Sequence, residues 1–109
     1  MGTIVHNAIV VTSNEGTRIS AAAAMARSLG LQVLGPSEAA GHSYQSILVC
    51  PDGSKERHER SDLADTKRDT FRSWLASDGD ELDWVEVRFG PDTEGAYVLH
   101  DAKGRFDNE

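Results

Sequence analysis

Phe71-Arg72-Ser73-Trp74-Leu75, a polar gap, and then Trp84-Val85-Glu86-Val87-Arg88-Phe89-Gly90 are the residues that decide the fold. They close a longer stretch, Pro51 to Gly90, which holds both tryptophans and two of the three phenylalanines. The first piece ends a helix and the second is a strand. In the strand Val85, Val87 and Phe89 point one way, and Trp84, Glu86 and Arg88 point the other. Gly90-Pro91-Asp92-Thr93-Glu94-Gly95 reads as a turn, and Ala96 to His100 returns as a last strand, making a β-hairpin.

Working back from this stretch, Lys55 to Arg60 alternates charge sign, and Ser61 or Asp62 can cap a helix running to about Ser77. Leu63, Phe71, Trp74 and Leu75 supply its buried side, with Thr70 at the margin. Asp65 with Arg68, and Asp69 with Arg72, make i,i+3 pairs expected on its outer side. Asp78-Gly79 stops it. Before it, Tyr44 to Cys50 is a strand closed by the turn residues Pro51-Asp52-Gly53.

Nearer the start, Thr3 to Thr12 is β-branched and apolar on both faces, the pattern of a central strand with two covered faces. His6 and Asn7 interrupt it and belong near its end or in internal bonds. Asn14 to Leu29 reads as a helix. Ser13 or Asn14 caps it, Ile19, Ala22, Ala23, Ala26 and Leu29 make its stripe, and Gly30 takes a left-handed C-cap. Leu31 to Leu34 is a short strand ended by Gly35-Pro36, and Ser37 to Ser43 a loop or single turn.

The order β-α-β-β-α-β-β predicts an α+β domain over residues 1–101, with residues 102–109 a polar, frayed tail. Its first six elements fit a ferredoxin-like split βαβ pattern, to which the hairpin adds one strand of a mainly antiparallel sheet. Right-handed crossovers put both helices on one face. The other face is then open, with Trp84, Glu86 and Arg88 expected on it. A three-layer arrangement is the alternative, because the first strand is apolar on both sides.

A length of 109 residues suits one domain with one core. A single cysteine, Cys50, excludes an intrachain disulfide and fits a cytoplasmic location. No signal peptide, myristoylation motif or membrane-length apolar run is expected. The net charge of −7 is unevenly placed. Residues 1–77 carry eight acids and eight bases, while residues 78–109 carry ten acids and three bases. That imbalance repels nucleic acid and anionic membranes and attracts basic surfaces; its plainest role is solubility.

Catalytic and ligand signals are weak. Thr12 to Thr17 joins a strand to a helix N-terminus, where anions bind, yet it holds no phosphate-binding glycine motif, and Glu15 opposes a phosphate. His6, His42, His58 and His100 lack partners at metal-ligand spacing, and His58 with Glu59 and Asp62 reads as a solvated helix entrance. Cys50 has no nucleophile signature and is expected to be an unreactive thiol. No cofactor, metal or catalytic residue is therefore assigned, and the chain is not read as an enzyme. Asp78, Asp80, Glu81, Asp83, Trp84, Glu86, Asp92 and Glu94 form the candidate partner-binding surface, where an aromatic supplies contact area and acids supply steering. Spaced carboxylates can also mimic nucleic-acid phosphates. For Trp84 alone, core packing is the stronger expectation.

The run Pro51-Asp52-Gly53-Ser54-Lys55-Glu56, the charged helix and Trp84-Val85-Glu86-Val87 resemble small uncharacterised proteins of bacterial and phage genomes, over roughly the C-terminal half. That pattern carries no established activity. It has Gly-Trp where this chain has Arg57-His58. The phage context implies an inhibitor of a host system, for example an anti-CRISPR protein. The leading expectation is thus a non-enzymatic interaction protein docking on a basic, nucleic-acid-binding host complex. The alternative is a ligand-binding or enzymatic domain with a strand-end pocket near Thr12–Thr17 and Cys50–Ser54. A third reading is a homodimer through the hairpin edge or the open sheet face.

Overall fold

The computed structural model describes residues 5–39, 41–51, 59–78, 82–91 and 95–102, and of 59–64 and 78 the backbone alone. Five strands, β1 (His6–Ser13), β2 (Val33–Leu34), β3 (Gln45–Val49), β4 (Asp83–Phe89) and β5 (Tyr97–Asp101), form one open sheet in the order β2-β3-β1-β4-β5. Every neighbouring pair is antiparallel. Helix α1 (Gly16–Ser28) joins β1 to β2 across β3, and α2 (Glu59–Asp78) joins β3 to β4 across β1. The class is therefore α+β. Among the described residues no helix is long and apolar enough to cross a membrane.

Strand β1 is central, as its β-branched residues imply, and it runs through Ser13 rather than ending at Thr12. Ser13 is thus a strand residue, almost fully buried, and not a helix cap. Its hydroxyl accepts the Glu15 N–H at 3.0 Å, and Glu15 occupies the cap position of α1 with no side-chain cap of its own. At its far end α1 closes as the glycine implies: Gly30 has φ +84°, its N–H donates to Arg27 O, and Leu31 N–H donates to Ala26 O. Gly35, φ +106°, permits a close approach in which an added Cβ would stand 2.8 Å from Ser46 O.

Both helices cover the same sheet face. Ile19, Ala22, Ala23 and Ala26 of α1 meet Phe71 and Leu75 of α2 over Ile9, Val11, Ile47 and Val49. The small alanine side chains allow α1 to lie close to the strands. Phe71 and Trp74 stack with ring centroids 6.1 Å apart. Burial of Phe71 and Leu75 is complete, worth about 1.5–3 kcal/mol of transfer free energy for each side chain.

The orientation of β4 is the reverse of the hydrophobic expectation. Register aligns Trp84, Glu86 and Arg88 with Val11, Ile9 and Asn7, and Ile9 and Val11 are fully buried beneath the helices. Trp84, Glu86 and Arg88 therefore face the helices rather than the open side. Val85, Val87 and Phe89 share the open face with Val10, Ala8 and His6. The reason lies in α2, whose Arg68 and Arg72 meet Glu86, while Arg88 finds Asn7 on β1.

Candidate functional site

Arg68, Phe71, Arg72 and Leu75 lie at i, i+3, i+4 and i+7 of α2 and turn one stripe toward the sheet. Two of the four positions are charged, and they meet the one acid on the covered side of β4. Glu86 is fully buried. Its Oε1 accepts Arg72 Nη1 at 2.5 Å, and its Oε2 lies 3.7 Å from Arg68 Nε. Arg68 and Arg72 also pair with Asp65 and Asp69 one turn earlier. The two i,i+3 pairs anticipated from sequence exist, but they do not lie on the outer side. Arg68 and Arg72 are only 6% and 14% exposed in their side chains.

Arg88, next along β4, donates from Nε to Asn7 Oδ1 at 3.1 Å. Asn7 is buried, so its interruption of the apolar strand is explained by that internal bond. A cavity of about 140 Å³ opens here, lined by Asn7, Asp65, Arg68, Asp69, Arg72, Arg88 and Leu99. Its arginines and acids, with Glu86 behind them, balance at three positive and three negative charges. Through Glu86, the arrangement anchors α2 to β4. Helical spacing of Arg68 and Arg72 with Phe71 and Leu75 was the sequence signal for it.

Of the candidate partner-binding residues, Asp83, Trp84 and Glu86 are described with their side chains. Asp83 is exposed at the start of β4. Trp84 is half-buried and packs against the core cluster. Glu86 is enclosed, and its charge is met by two arginines, so it adds nothing to an acidic surface. Asp80, Glu81, Asp92, Glu94 and the side chain of Asp78 lie outside the described residues.

The segments of the strand-end pocket do not converge in their described parts. Ser13 pairs with Gln45, whereas Ile9 pairs with Val49, so Thr12 and Cys50 stand at opposite ends of the β1–β3 pair. Cys50 is a free, half-buried thiol whose N–H donates to Gln32 O. Among the described residues no three His, Cys, Asp or Glu side chains gather in a way that could hold a metal ion. His58 lies outside them.

The open face is the other notable surface. Register lays Leu34 beside Leu48, Leu48 beside Val10, and Val10 beside Val85. Ala8 adjoins Val87, and His6 adjoins Phe89, with ring centroids 5.2 Å apart. Leu34 is 57% exposed, and Val10 and Phe89 are each 36% exposed. No family model, curated protein or solved structure matches the chain.

Proposed function

We propose that this chain is a non-enzymatic protein-interaction module. One observation carries the reading: among the described residues, the sheet face turned away from the helices leaves Val10, Leu34 and Phe89 exposed. A contiguous apolar face on a small domain is the signature of a docking surface, because leaving it in water is costly. The acids of the last third add a second surface, which suits a basic partner. Asp83 is exposed there, and Asp78, Asp80, Glu81, Asp92 and Glu94 surround it in sequence. A nucleic-acid-binding host complex, inhibited in the manner of a phage-type or anti-CRISPR inhibitor, has the complementary charge.

We also read the sheet as ferredoxin-like with an added edge strand. Support comes from the order in which β3 lies between β1 and β2, and β1 between β3 and β4.

The test is recovery of the tagged chain from host lysate at low and high salt. A basic complex kept at low salt, released at high salt and lost when Asp80, Glu81 and Asp83 become Asn or Gln supports the acidic docking surface. Retention unchanged by those substitutions refutes it. A bound small molecule in place of any protein favours a ligand-binding domain.

A further inference from the structure

We propose that the cavity beside α2 and β4 binds a small oxyanion, a carboxylate or a phosphate, and that Arg88 is the group that holds it. This site lies on the covered side of the sheet and does not depend on the interaction-module reading above.

Ion pairing around the cavity leaves one cation over. Arg68 meets Asp65 and Glu86, and Arg72 meets Asp69 and Glu86. Arg88 meets no carboxylate among the described residues. Its Nε donates at 3.1 Å to Oδ1 of Asn7, an uncharged acceptor. A guanidinium carries five N–H donors in a planar fork, so those of Nη1 and Nη2 remain. Such a fork matches the paired oxygens of a carboxylate or a phosphate. Arg88 is also half-buried. An anion seated there gives a partly desolvated cation its counter-charge, and that is the driving force for binding.

The cavity wall suits that occupant. Asn7 is buried and fixes the guanidinium through Nε, and with its Oδ1 so committed its amide nitrogen is a second donor. The volume of about 140 Å³ holds several water molecules, and so one planar or tetrahedral oxyanion. Two acids of the wall oppose the anion and set its affinity. Asp65 and Asp69 are 40% and 59% exposed in their side chains, and each is paired with an arginine, so solvent and pairing weaken their repulsion. Glu86 is enclosed behind two guanidiniums. A ligand of about four or five heavy atoms in such a site is expected to bind with a dissociation constant of about millimolar order.

Titration of the full chain with inorganic phosphate and, separately, with acetate tests this. Ionic strength is held constant with chloride, and the arginine Nε–H signals are followed by NMR. The expected result is a saturable shift of the Arg88 signal, and the tighter of the two anions identifies the class of ligand. Arg88→Gln removes the cation, whereas Asn7→Asp supplies the missing carboxylate from within the chain. Each should weaken binding of the saturating anion at least about tenfold, as expected for loss of a charge-assisted, two-pronged contact. Asp69→Asn removes a negative charge from the wall and should tighten binding about two- to fivefold. Circular dichroism confirms that each variant is folded. Should Arg88→Gln unfold, Asn7→Asp decides, because it keeps an acceptor for Arg88 at the same place. Shifts that rise linearly with both anions and never saturate overturn the proposal. Saturable binding that survives Asn7→Asp undiminished overturns it too.

Discussion

The two faces of this sheet are built from the same strands and solve opposite problems. One is covered by helices and yet takes in a carboxylate, two arginines and an asparagine. The other has no helix over it among the described residues and yet presents leucine, valine and phenylalanine. The contrast teaches that polarity alone did not decide which side of β4 turned inward. A charged stripe on α2 offered Glu86 better company than water did.

Breaking the covered face should have the largest effect. Glu86→Ala leaves Arg68 and Arg72 without their buried counter-charge, and a loss of about 3–5 kcal/mol is expected in urea denaturation. Phe71→Ala, at a fully buried ring, should cost a similar 3–5 kcal/mol. The contrast is sharpest on β1, where neighbours in sequence lie on different faces. Ile9→Ala should cost about 2–5 kcal/mol, while Val10→Ala, one residue on and 36% exposed, should cost less than about 1 kcal/mol when measured on the monomer. Equal losses at the two positions would mean that the open face is packed after all. Smallest of all, Asp69→Asn removes an exposed member of the ion cluster, with an expected change within about 0.5 kcal/mol.

Much of the fold was legible. The alanine stripe of α1, its glycine cap, the central placement of β1 and the terminal hairpin each followed from residue spacing. What escaped was the facing of β4. Its clean alternation set Val85, Val87 and Phe89 against Trp84, Glu86 and Arg88, and a hydrophobic criterion sends the valines inward. The deciding partners, Arg68 and Arg72, lie 14 or more residues earlier, and their role shows only when α2 is docked. The candidate surface was less legible still. An acidic composition marks residues 78–109 as a region without saying that Glu86 is withdrawn from it. The open face could be anticipated as a consequence of topology, but its apolar content depended on the same inversion.

The Glu86 cluster also bears on how the chain avoids a competing arrangement. Sliding β4 by one residue against β1 would carry Val85, Val87 and Phe89 beneath the helices, a packing that hydrophobicity alone would favour. It would also expel Glu86 and strand two arginines against an apolar surface. The pairing is thus chosen by frustration in the alternative as well as by attraction in the native state. A triple replacement of Glu86, Arg68 and Arg72 by apolar residues would lift that frustration, leaving one sequence with two strand registers of comparable free energy.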